Sequence, residues 1–127
     1  MTGHNFSAES EPSRFHPLVI TRNPVPRGER LELAVPPDSA WFRGHFPGRP
    51  ILPGVAELGW AIAGAQLVFG YHHDPRHIEC LRFRQPVIPG ERLTLLLQAD
   101  PHCAERIKFQ YHRSGENISG GTLCFDS

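Results

Sequence analysis

The residues of this chain whose types and spacing suit chemistry lie between Trp41 and Gly54, in the run Trp-Phe-Arg-Gly-His-Phe-Pro-Gly-Arg-Pro-Ile-Leu-Pro-Gly. Its one histidine, His45, sits among three prolines and three glycines. Proline fixes φ and removes a backbone donor, and glycine lets the backbone approach a ligand closely. An unperturbed imidazole titrates near neutrality, so His45 is a candidate general base. An apolar run, Val55–Phe69, follows directly. If it is a helix, the N–H groups of Gly54 and Val55 have no intrahelical acceptor and lie at the positive end of the helix dipole. They would then suit a carbonyl oxygen gaining charge. The plainer alternatives are a histidine hydrogen-bonded in a turn and a Pro-Gly pair that only starts a helix.

These residues need a helix and a sheet to hold them. Val55, Leu58, Ala61, Ile62, Ala65 and Phe69 recur at helical spacing. The residues between them are also largely apolar or small, so the helix should be buried nearly all round. Gly70 is its expected C-cap. Before the motif, Leu18-Val19-Ile20 and the alternating Arg30–Val35 read as strands, with a turn marked by Pro24, Pro26 and Gly28. After a polar loop, strands are expected over His77–Arg84, Arg92–Ala99, Arg106–His112 and Asn117–Phe125, with turns at Pro89-Gly90 and Ser114-Gly115. That order predicts an α+β arrangement, a central buried helix wrapped by a curved antiparallel sheet. Residues 1–14 are polar and expected to be flexible, which leaves 15–127 as one domain.

Composition excludes several classes. Thirteen Lys and Arg balance thirteen Asp and Glu, so no excess of positive charge argues for nucleic acid or an anionic membrane. No apolar run is long enough to cross a bilayer as a helix, and the first twelve residues lack an apolar signal core. A cytoplasmic protein is expected. Cys80, Cys103 and Cys124 show no CxxC spacing, and His72, His73, His77, His102 and His112 form no ligand pattern, so no metal or other cofactor is expected.

Gly44–Val55 resembles the signature of the 3-hydroxyacyl-[acyl-carrier-protein] dehydratases of fatty acid synthesis. Phe83–Leu93, reading Phe-Arg-Gln-Pro-Val-Ile-Pro-Gly-Glu-Arg-Leu, is similar to a later segment of that family. The resemblance implies a hotdog fold, a homodimer or larger homo-oligomer, and a substrate carried by an acyl carrier protein. It implies that the histidine matching His45 takes the α-proton of a 3-hydroxyacyl thioester, that Gly54 holds the carbonyl, and that Phe46 packs at the site mouth. The segment Val55-Ala56-Glu57-Leu58-Gly59-Trp60-Ala61, through its alanine and tryptophan, looks more like the dehydratase branch of aryl polyene biosynthesis. Trp60 is therefore a candidate lining for an acyl tunnel, with core packing the equal alternative. Arg49, Arg82 and Arg84 are candidates for meeting an acidic carrier.

The chain departs from that family at one position. The family's acid falls where this chain has Gly59. The nearest acid, Glu57, is two residues earlier, about 200° around a helix from Gly59. Glu57 is either a displaced catalytic acid or a solvated first-turn residue that favours the helix N-terminus. Gln66, near the face of Gly59, could hold a water. The expected activity is dehydration of a 3-hydroxyacyl thioester to the trans-2-enoyl thioester. A hotdog thioesterase and a non-catalytic dehydratase-like subunit are the alternatives.

Overall fold

The structure is a computed structural model and describes residues 16–39, 42 and 51–125. Six strands form one antiparallel sheet around a single described helix. The strands are β1 (Leu18–Val25), β2 (Gly28–Ala34), β3 (His77–Phe83), β4 (Arg92–Asp100), β5 (Cys103–Arg113) and β6 (Glu116–Cys124), and the helix is α1 (Gly54–Phe69). The order across the sheet is β1-β2-β4-β5-β6-β3. The chain thus leaves the sheet after β2, builds α1, and returns at the far edge with β3.

Inward-facing side chains alternate along β2, β4 and β5, as a half-buried strand requires. Leu31, Leu33, Leu93, Leu95, Leu97, Ile107, Phe109 and Tyr111 are all at or below 1% exposed. The hairpin joining β5 to β6 turns on Ser114 and Gly115, both at positive φ (52° and 81°), the signature of a turn that matches strand twist. β1 is longer than the sequence suggests. It runs through Pro24, opposite Glu29, because a proline's missing donor is tolerated where no further strand pairs.

The helix differs from its sequence reading in which face it buries. The residues turned to the sheet are mostly small: Ala56, Ala61, Ala63, Gly64 and Ala65, with Glu57 and Trp60. Val55 is 64% exposed, and Leu58, Ile62 and Phe69 are only partly buried. A stripe of alanines lets the helix axis come close to the strands. A Cβ on Gly64 would lie 3.1 Å from the Leu97 side chain. Gly70 ends the helix at φ 78°, its N–H bonded to the Gln66 carbonyl, the left-handed cap expected there. Beyond it, Tyr71 stacks on Phe125 at 4.1 Å between ring centroids.

Candidate active site

The described end of the first motif stretch, from Ile51 on, meets the second at the start of α1. The Leu52 N–H donates to the Val87 carbonyl at 2.7 Å. The Phe83 ring lies over Gly54 so closely that a Cβ there would be 2.8 Å from it. Opposite the helix, residues 84–91 are held as a wall. The N–H groups of Arg84 and Gln85 both donate to the Ile118 carbonyl. Arg113 donates to the Pro86 carbonyl at 3.0 Å and to Glu91 at 2.8 Å. Between wall and helix is a cavity of about 490 Å³ bordered by Leu52, Gly54, Glu57, Phe83, Arg84 and Gln85.

At the helix start Pro53 is the N-cap, with no side-chain capping bond. Its carbonyl accepts from both Ala56 and Glu57 N–H groups. Gly54 and Val55, the first residues of the helix, keep the orphan N–H groups of its N-terminus. Gly54 borders the cavity. Its lack of a side chain has a steric cause here, the Phe83 ring, alongside any role in holding a ligand.

Glu57 is not the solvated first-turn residue that its position allows. It is 3% exposed. The Ser119 hydroxyl donates to its Oε1 at 2.5 Å, and the Tyr111 hydroxyl donates to its backbone carbonyl at 2.7 Å. Burial pushes its carboxyl up to about 7, against the Ser119 hydrogen bond, which acts downward. The group therefore holds a proton far closer to neutral pH than an exposed carboxyl does. Tyr111, wholly buried, is raised well above its ordinary value by desolvation and then by the Glu57 charge, so it remains a donor.

Gly59 faces the other way. A Cβ there would meet nothing within 4 Å. Glu57 and Gly59 thus point to opposite sides of the helix, as their two-residue spacing requires. Glu57 enters the cavity from the sheet side rather than filling the place of the acid missing at Gly59. Trp60, three residues on from Glu57, packs in the core at 2% exposed and does not border the cavity. Gln66 is tied elsewhere, its side-chain N–H donating to the His73 carbonyl at 2.9 Å. His45, Phe46 and Arg49 lie outside the described residues.

Ser119 and Tyr111 carry no motif and were not singled out from sequence. The only sequence signal for them is polarity at inward-facing strand positions. Arg84 borders the Glu57 cavity, whereas Arg82, Arg84, Lys108 and Cys80 border a second hollow of about 200 Å³ on β3, β5 and β6. The sequence also gave no sign that His77, Glu79 and Cys124 come together, their ligand-type atoms within 4.8 Å of one another. Arg106 occupies that cluster, donating to Glu79 at 2.5 Å and to the Cys124 sulfur at 3.6 Å. No described helix is long and apolar enough to cross a membrane.

The chain is 35% identical over 114 residues to the 3-hydroxyacyl-[acyl-carrier-protein] dehydratase FabZ of Sorangium cellulosum, covering 83% of this chain and 69% of that one. It is 30% identical over 119 residues to FabZ of Bordetella petrii, covering 80% and 78%. A chain of the dehydratase heterocomplex ApeI:P from Xenorhabdus doucetiae superposes with a TM-score of 0.76 at 32% identity, over 85% of this chain and 96% of that one. Protein PH1136 of Pyrococcus horikoshii, at 18% identity and TM-score 0.62 over 87% and 82%, shares the fold alone. One helix against a six-stranded antiparallel sheet is the hotdog fold. The ApeI dehydratase family model matches residues 26–122, and the chain belongs to the ApeI-like dehydratases.

Proposed function

We infer that this chain removes water from a 3-hydroxyacyl thioester borne by an acyl carrier protein and releases the trans-2-enoyl thioester. The observation that carries the reading is the buried Glu57, in the first turn of α1 and bordering a cavity, in a chain of a dehydratase family.

In this reaction His45 takes the α-proton as general base. The N–H groups of Gly54 and Val55 receive the thioester oxygen as it gains enolate charge, with the helix dipole in support. Glu57, protonated in a substantial fraction near pH 7, gives its proton to the departing 3-hydroxyl, which leaves as water. The carboxylate that remains regains a proton, from His45 or from solvent, to restart the cycle. Apolar walls at Leu52, Pro53, Phe83 and Pro86 suit an acyl chain. Arg84 and Arg82 suit the acidic face of a carrier protein. The setting is the cytoplasm, in fatty acid or aryl polyene type biosynthesis.

One observation favours assembly with further subunits. The exposed side of α1 at Val55 and the edge strand β3, with Leu81 at 40% and Phe83 at 48% exposed, are apolar and uncovered. A homo-oligomer would cover them. A second hotdog chain of different sequence would also do so and could bring the acid that Gly59 lacks.

The test is a mass-resolved assay on 3-hydroxyacyl carrier protein, with the wild type beside His45→Ala. Water loss that disappears in the variant supports the lyase. No water loss from short, long or aryl acyl groups, with the fold intact and the chain alone, leaves the subunit reading. Hydrolysis of the thioester in place of water loss would make the chain a thioesterase.

A further inference from the structure

The geometry points to Ser119 as the positioning residue of this site: its hydroxyl holds the Glu57 carboxyl at the cavity wall, where it serves as proton donor. The inference rests on the reading of Glu57 given above.

A row across three strands carries it. Tyr111 on β5 is paired with Ser119 on β6, and Ser119 with Phe83 on β3. Directly opposed residues in antiparallel strands share a face. Each of the three meets the first turn of α1. Tyr111 bonds the backbone carbonyl of Glu57, Ser119 bonds its carboxyl, and Phe83 covers Gly54. The three contacts fix the helix start in height, rotation and distance, and only the middle one touches a reacting group.

A hydroxyl in this place needs a reason. Ser39, Glu57 and Ser119 are the buried polar residues among those described, and two of the three bond each other. Burying either one unpaired would be costly. The single rotatable bond of serine, on a strand paired on both sides, leaves its oxygen little freedom. No other described side chain bonds the carboxyl, and Glu57 borders the cavity. Among the described residues, the charged or titratable groups that border Glu57 are few. β5 presents Tyr111, the segment after β3 presents Arg84, β6 presents the uncharged Ser119, and Ile51–Pro53 is apolar. Glu57 is the one charged residue of α1. Among the described residues, Ser119 is thus the neighbour that bonds the carboxyl directly.

The deciding experiment titrates the Glu57 carboxyl by carbon-13 NMR in the full chain labelled at glutamate, with the resonance assigned by Glu57→Gln. Ser119→Ala should raise the midpoint by about one pH unit, because the lost hydrogen bond favoured the carboxylate. Ser119→Cys, close in volume and a weak donor, should fall between, and Ser119→Thr should hold the wild-type value. The alkaline limb of kcat/KM on 3-hydroxyacyl carrier protein should move with the midpoint. A midpoint unmoved in both Ser119→Ala and Ser119→Cys would overturn the inference, and the titration needs no turnover to show it. A Glu57-dependent reaction whose pH profile ignores Ser119→Ala would overturn it alone. Full activity in Glu57→Gln would instead remove the donor reading, and this one with it.

Discussion

Two glutamates of this chain are driven in opposite directions by their surroundings. Glu57 is enclosed between helix and sheet with one uncharged donor, and its carboxyl rises to about 7. Glu79, on the edge strand β3, has Arg106 at 2.5 Å and His77 at 3.0 Å, and hydrogen bonds to these two hold it down at about 2. Both are well bonded, so hydrogen bonding as such does not decide the outcome. The deciding difference is whether the partner carries charge and whether water has been removed. A cation beside an exposed carboxylate keeps it ionised, and a hydroxyl beside a buried one does not compensate desolvation. Of the two environments, the enclosed one makes a carboxyl able to give a proton near neutral pH.

The comparison is broken most directly by removing each carboxyl. Glu57→Gln should lower kcat for dehydration by about 10² to 10⁴, the usual worth of a positioned acid. Glu79→Gln should leave kcat within about twofold. Equal losses in an assay of the two variants would mean that the enclosed environment has no bearing on turnover.

Stability against pH separates the two next. The folded-state value of Glu57 lies above its unfolded value. The stability it lends is therefore complete below about pH 4.5 and is lost as pH rises to about 7. The loss is about 3 kcal/mol on the scale of 1.36 kcal/mol per pH unit. Glu79 has the opposite sign, with its contribution present above about pH 4.5 and lost as pH falls toward about 2. Denaturant melts of the wild type should show a maximum near pH 4.5 to 5. Glu57→Gln should flatten the neutral side only, and 1 M salt should weaken the acidic side, where the ion pair is exposed.

Two glycines sharpen the contrast between the helix's inner and outer sides. Gly54→Ala should push the Phe83 ring into the cavity and lower kcat/KM by about tenfold. Its effect on the melting temperature should be small, because Phe83 is half-exposed and its ring has room to swing. Gly59→Ala, on the open side, should stabilise the fold by about 1 kcal/mol with unchanged kinetics. A loss of stability there would show that the outer face is already covered.

The strand pattern and the helix position were legible because burial on one face imposes a period that composition preserves. Leu93, Leu95 and Leu97 alternate in the sequence and are buried as a set. The helix face was less legible, since alanines turned to the sheet carry a weaker signal than the larger Leu58 and Ile62 beside them. For the site, spacing placed Glu57 and Gly59 on opposite sides of the helix. It did not reveal that the side of Glu57 was the enclosed one. That depends on Ser119 and Tyr111, brought near by strand register rather than by any local motif. The meeting of Glu79, Arg106 and Cys124 is a product of register in the same way.

The partners of Glu57 lie 54 and 62 residues downstream of it. A chain emerging from the ribosome therefore exposes the motif and the helix well before β5 and β6 exist to receive them. Until then α1 has β2 and β4 to pack on but no donor for its carboxyl. The acid acquires its raised affinity for protons only when the last two strands close. Non-local closure of this kind is slow, in the millisecond-to-second range for sheets of high contact order. Any truncation before β6 should leave a chain with the complete Gly-His-Phe-Pro signature and no working acid.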